Sequence, residues 1–149
     1  MGVWASIKRV FDIARDQFGQ HESRIIARYP GESFHSQRDA IAALVEELQR
    51  LGDWYGSVVG SLGDEQRLIQ LTEDTVNFCA EPIDLAHFTS MLNKHGLARL
   101  APRVVESGKG LFTIPEATPD ELAAITDVYF SQHYRMGDQY HICASIGDA

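Results

Sequence analysis

Apolar residues recur along this chain at two periods, and the places where the period changes divide it into elements. From Val3 to Phe18 the residues Trp4, Ile7, Phe11, Ala14 and Phe18 stand three or four apart, the stripe of an amphipathic helix, with Gly19 as its stop. Arg24 to Tyr29 is short, partly β-branched and closed by Pro30-Gly31, which predicts a strand. Ser36-Gln37-Arg38-Asp39 has the form of a capping box, and Ile41, Leu44, Val45, Leu48 and Leu51 behind it share one helical face up to Gly52. Glu46 and Arg50, four apart on the other side of this helix, are expected to pair.

Trp54 to Val59 mixes aromatic and β-branched residues, and the glycine-rich Gly60-Ser61-Leu62-Gly63-Asp64 separates it from Arg67 to Thr72. Two strands joined by a turn are predicted. A helix from Asp64 to Cys79 competes, because Leu68, Leu71, Thr75, Phe78 and Cys79 also fit a helical stripe. Pro82 opens a predicted helix with Leu85, Phe88, Met91 and Leu92 on one side, ended near Gly96. An irregular basic stretch with Arg99, Arg103 and Lys109 leads to a strand over Leu111 to Ile114, closed by Pro115. Thr118-Pro119-Asp120-Glu121 then supplies an N-cap, a first-turn proline and two acids suited to the helix dipole; Leu122, Ile125, Val128, Tyr129 and Tyr134 form the apolar face behind them. Gln139 to Ile146 alternates, with Tyr140, Ile142, Ala144 and Ile146 on one side and His141, Cys143 and Ser145 on the other.

Asp39 to Leu44, Gly52-Asp53-Trp54-Tyr55 and Ser61-Leu62-Gly63-Asp64 echo Asp120 to Ile125, Gly137-Asp138-Gln139-Tyr140 and Ser145-Ile146-Gly147-Asp148. The echo suggests an internal repeat of 24–64 and 110–148, each unit a strand, a helix and a strand sharing a sheet; alanine-rich amphipathic helices also match by chance. The expected fold is a single α+β domain over residues 1–149, preceded by the N-terminal amphipathic helix.

Composition adds a core and removes several partners. At 149 residues, 44% apolar and 23% charged, the chain can bury a core without metal or disulfide. Lys8 and Arg9 fall too early for a secretory apolar segment, and no apolar run is long enough to cross a membrane. A cytoplasmic protein without membrane contact is expected, with Cys79 and Cys143 as reduced thiols. A net charge of −8 disfavours nucleic acid, whose backbone is bound by Lys and Arg.

No glycine-rich phosphate loop, paired-cysteine zinc spacing, nucleophile elbow or dinucleotide fingerprint is present. His141 and Cys143, two apart on one strand, point the same way; they are candidates for a metal site completed by His133 or His87, or for a cysteine nucleophile with its base. A half-buried histidine beside a core thiol is the plainer account. Asp84, His87 and His95 share a predicted helix at spacings that admit Asp84 with His87 as ligands, against the plainer reading of a solvated face.

The acids are more concentrated. Asp64, Glu65, Glu73, Asp74, Glu81 and Asp84 follow one another with only Arg67 among them, and Glu116, Asp120, Glu121 and Asp127 form a second group. Their setting does not suggest a catalytic carboxylate pair, which needs burial to separate two pKa values. It suits either a solubilising surface or a docking face for another protein with a basic surface. The expectation is therefore an acidic protein-binding module that needs no cofactor, of the inhibitor or immunity type that neutralises a basic toxin or nuclease by charge. The alternatives are a small metal- or cysteine-dependent enzyme centred on His141 and Cys143, and an assembly subunit exposing Trp4, Phe11 or Trp54 in one apolar patch.

Overall fold

The computed structural model describes residues 24–79 and 81–148. Its strands are β1 (Arg24–Tyr29), β2 (Trp54–Leu62), β3 (Glu65–Leu71), β4 (Thr75–Asn77), β5 (Val105–Gly108), β6 (Leu111–Thr113) and β7 (His141–Asp148). Three α-helices, α1 (Gln37–Leu51), α2 (Leu85–Lys94) and α3 (Pro119–Val128), are joined by a 3₁₀ segment over Ala98–Arg103 and a π-helical turn over Tyr129–His133.

The strands form one antiparallel sheet in the order β1-β7-β2-β3-β4-β6-β5. The fold is thus α+β. Because β1 and β2 both run antiparallel to β7, they are parallel to each other with β7 between them. β6 and β7 are parallel as well, but β2, β3 and β4 separate them. Both predicted units therefore run strand, helix, parallel strand, and they differ in how many strands the helix crosses.

Period-two alternation divides the sheet into an inner and an outer face. Val58, Ile69, Leu71, Val76, Phe112, Tyr140, Ile142, Ala144 and Ile146 are buried on the inner face, as the alternation of the last strand predicts. Helix α1 lays Ile41, Leu44, Val45 and Leu48 on it, and α3 adds Leu122, Ile125 and Val128. Gly56 makes the close approach of α1 possible: a Cβ there would stand 2.8 Å from Leu44 Cδ2. At the other end Phe88 of α2 stacks on Phe112 with ring centroids 4.4 Å apart, and Phe78 meets Tyr129 at 4.3 Å.

The helix starts follow their local sequence. Ser36 accepts a hydrogen bond from the Asp39 N–H at 3.1 Å, Asp84 accepts from the His87 N–H at 2.8 Å, and Thr118 with Glu121 closes a full capping box.

The two strands predicted on either side of the Gly60–Asp64 turn are present, and the competing helix over residues 64–79 is not: β3 is antiparallel to β2 from Gly56 opposite Leu71 to Leu62 opposite Glu65, and β4 pairs back on β3. Several other boundaries depart from the sequence expectation. The helix predicted to reach Tyr134 leaves α-geometry after Val128. The stretch around Arg99 and Arg103 is the 3₁₀ segment, and Val105–Gly108 is an edge strand. Arg50 bonds Glu47, three residues away, in place of Glu46, and Glu47 also holds Arg24 at 3.1 Å. Trp54 packs against the core, so it does not join an exposed apolar patch. The helix expected over Val3 to Phe18 lies outside the described residues. No helix among the described residues is long and apolar enough to cross a membrane.

Candidate docking cleft

The fold sorts the ten acidic residues into bound and unbound sets. Glu65 and Glu81 hold Arg67 at 3.2 and 3.6 Å, Glu121 holds Arg103 at 3.2 Å, and Asp127 holds Arg38 at 2.8 Å while accepting the Tyr140 hydroxyl. Asp84 is consumed as the cap of α2. The remaining acids, Asp64, Glu73, Asp74, Glu116 and Asp120, have no ion pair among the described residues. Asp64 stands apart in the turn between β2 and β3.

Glu73, Asp74 and Glu116 come together although 42 residues separate the last two, because two turns meet at one end of the sheet. Glu73 and Asp74 lie in the β3–β4 turn, and Glu116 follows β6. The Ile114 N–H donates to the Asp74 carbonyl at 2.8 Å, and the Gln49 side-chain amide of α1 donates to the carbonyls of Glu73 (3.0 Å) and Ala117 (2.8 Å). One glutamine thus fixes both turns. Together Gln49, Glu73, Asp74, Glu116, Ala117, Thr118 and Pro119 line a surface cleft with three carboxylates and, among the described residues, no basic side chain. Asp120 is exposed in the first turn of α3, next to Pro119.

Two backbone details shape the cleft. Glu116 has φ 61°, a left-handed conformation that costs a non-glycine residue about 1 kcal/mol. Beside it the Thr118 N–H donates to the Glu121 carboxylate at 2.9 Å, and this bond, with Arg103, holds the Glu121 carboxyl below the usual range.

The structure does not bring His141 and Cys143 together with His87 or His133 as a metal-ligand set. Cys143 is paired across the sheet with Val59 and Arg28, and His141 with Ser61, all with outer-face parity. His87 and His133 lie on the inner side, where their rings meet edge to face at 4.9 Å and His87 Nδ1 lies 3.1 Å from the Tyr129 hydroxyl. The sheet separates the two groups. Asp84 and His87 do not form a ligand pair either, since Asp84 accepts the His87 backbone N–H. Among the described residues no three His, Cys, Asp or Glu side chains converge to hold a metal.

A polar cluster unforeseen from the sequence surrounds Arg67. Its guanidinium lies 5.1 Å from the Tyr134 ring centroid, and its Nε is buried without a hydrogen-bond partner. Cys79 stands nearby with φ 59°; burial pushes its thiol up to about 11, so it is protonated and unreactive at neutral pH. Burial and the neighbouring His87 lower the His133 pKa. One signal was available in the sequence: Arg67 has the same strand parity as Ile69 and Leu71, which marks an inward-facing cation.

No protein-family model, curated protein or solved structure matches the chain. The functional reading therefore rests on the geometry of the cleft and on charge.

Proposed function

We propose that this chain is a binding module that docks a basic surface of another protein against the cleft of Gln49, Glu73, Asp74 and Glu116. The observation that carries the reading is that these carboxylates share one cleft and have no ion pair among the described residues, while Glu65, Glu81, Glu121 and Asp127 are spent on internal arginines. Gln49 holds the two turns in place before binding, which reduces the ordering cost of association. Asp120 extends the negative field at the rim, and the net charge of −8 gives the long-range attraction its sign. Neutralising a basic toxin or nuclease is the type of task this profile suits.

The test has two stages. Immobilised full-length chain and a Glu73→Lys/Asp74→Lys/Glu116→Lys variant are exposed to lysate of the native host, and the proteins held only by the unsubstituted chain are identified. Association of such a protein should slow as salt rises beyond about 0.15 M, where screening acts within roughly 8 Å. It should slow further in the triple variant, with little change in folding stability. Equal retention by both chains, or an association rate indifferent to salt, would rule the cleft out.

A further inference from the structure

Two imidazoles from separate elements meet where α2 adjoins the π-helical turn. His87 stands in the first turn of α2 and His133 is the last residue of the π-helical turn; their rings lie edge to face with centroids 4.9 Å apart. Both residues are half-buried. The His133 ring is also 5.3 Å from Tyr129 and 4.9 Å from Tyr134, while Phe88, next to His87, stacks on Tyr129 at 6.0 Å. A charge on either imidazole thus acts on the seam between the two elements, and histidine is the side chain whose charge changes between about pH 5 and 8.

The groups that face this pair, among the described residues, favour uncharged rings. Tyr129 is fully buried, and its hydroxyl lies 3.1 Å from His87 Nδ1, its one hydrogen-bond partner there; the phenol donates to that nitrogen only while it carries no proton. From β3 comes Arg67, whose guanidinium already lies over the Tyr134 ring at 5.1 Å. Two carboxylates stand near, Glu65 and Glu81, and both hold Arg67, at 3.2 and 3.6 Å. Asp84 is tied to the His87 backbone N–H as the cap of α2. Burial pushes up the Cys79 thiol and the Tyr129 and Tyr134 phenols, so all three are neutral at and below pH 7. His95, at the other end of α2, is eight residues or about 12 Å along the helix from His87. A proton on the pair therefore sets a cation beside a second imidazole and near a guanidinium, with no carboxylate that is not already engaged.

We propose that the His87–His133 contact is an acid-sensitive latch between α2 and the π-helical turn, closed while both rings are neutral and opened when a proton charges the pair. Burial and the His87 ring, with Arg67, lower the His133 pKa against the pull of Glu81. Because the folded pKa lies below the ordinary 6.5, the contribution of His133 to closure is complete above that value and is lost as pH falls through the folded pKa. Opening parts His87 and Phe88 from Tyr129, whereas α1 keeps its own packing on the sheet through Ile41, Leu44, Val45 and Leu48. A helix of ten residues does not hold its hydrogen bonds once detached, so α2 unravels when it opens. The latch does not depend on the acidic cleft, whose lining contains no histidine.

Native-state hydrogen exchange of the full-length chain reads the latch, each rate being divided by that of the unfolded sequence at the same pH. From about pH 7.5 to about pH 5, protection of Leu85–Lys94 should fall about fivefold or more, within the roughly thirtyfold that one histidine protonated only in the open state gives at the lower pH. Protection of α1, Gln37–Leu51, should stay as it was. In a His87→Gln/His133→Gln variant, which keeps a hydrogen-bonding group for Tyr129 but takes up no charge, the response of α2 should disappear. Unchanged protection of α2 in the unsubstituted chain would overturn the latch. So would a response that survives in the double variant, or one shared equally by α1, which would mean global unfolding. If the double variant does not fold, the imidazole proton signals of the unsubstituted chain decide. A His133 midpoint below 6.5, followed at the same midpoint by the amide signals of α2, is the expected result; a midpoint at or above 6.5, or α2 amides that do not follow it, would overturn the proposal.

Discussion

The ring of Phe130 lies against the backbone of Gly60, so close that a Cβ at residue 60 would stand 2.6 Å from its Cδ1. Phe130 sits in the π-helical turn and is fully buried, with Tyr140 at 5.4 Å and Tyr134 at 6.0 Å between ring centroids. It cannot swing away. Gly60→Ala should therefore cost about 1–3 kcal/mol by overpacking, read as a lower denaturant midpoint with an unchanged slope. Combining it with Phe130→Leu should return part of the loss; strictly additive losses would show that the two sites do not touch in the way described.

Ile142 is 3% exposed on the inner face of β7 beneath α1. Ile142→Ala should lower unfolding free energy by about 2–4 kcal/mol. A loss below about half a kcal/mol would mean that this face is not the core.

At the start of α3, Thr118→Ala removes the side chain that accepts the Glu121 N–H and should cost about 1 kcal/mol. Glu121 has a folded pKa below its unfolded value near 4.5, so its contribution is present above that value and fades as pH falls through the folded pKa. Stability followed from pH 5 downward should fall less steeply in a Glu121→Gln variant.

Cys79 acts at the opposite end of the scale. Its folded pKa of about 11 exceeds the unfolded 9.0, so its contribution is complete below pH 9 and is lost as pH rises toward 11. The buried tyrosines Tyr129, Tyr134 and Tyr140 are shifted in the same direction, and hence the comparison needs a control. Stability measured between pH 8 and 11 should decline more steeply in the unsubstituted chain than in Cys79→Ser; parallel curves would show that Cys79 is not desolvated.

Acidic residues should separate into two behaviours under substitution. Asp127→Ala leaves the buried Tyr140 hydroxyl without its acceptor and frees Arg38, at a cost of about 1–3 kcal/mol. Glu73→Ala, at an exposed carboxylate without an ion pair among the described residues, should stay within about 0.5 kcal/mol. Thermal unfolding of the two variants checks the division directly.

How much of this was legible in the sequence follows from which interactions are local. Helix α1, helix α3 and strand β7 were readable because their apolar periods are regular and their caps lie within four residues of them. Residues 64–79 were ambiguous for a specific reason: Leu68 and Ile69 are adjacent and both buried, one on each face, which breaks the alternation expected of a half-buried strand. Strand β5 was missed because Val105-Glu106-Ser107-Gly108 is an exposed edge with one apolar side chain and no periodic signal. The acids were correctly seen as abundant, yet their division was hidden, since Arg38 reaches Asp127 across 89 residues and Gln49 reaches Ala117 across 68. Pairings of that range are set by strand order, which no local pattern encodes.

The insertion of β7 between β1 and β2 has a consequence for assembly during synthesis. Arg24 waits for Ile146 and Tyr55 for Gly147, so among the described strands the first has no partner until β7, more than a hundred residues later, has been made. Helix α1 can form early and collapse onto β2, but β1 must be stored as an unpaired ribbon while more than a hundred residues are added. Closure then joins distant segments in one late step, the kind of topology that folds slowly and exposes open strand edges on the way. A chain released before β7 is made would carry two such edges, on β1 and β2, and would be a natural client for chaperones or a seed for aggregation.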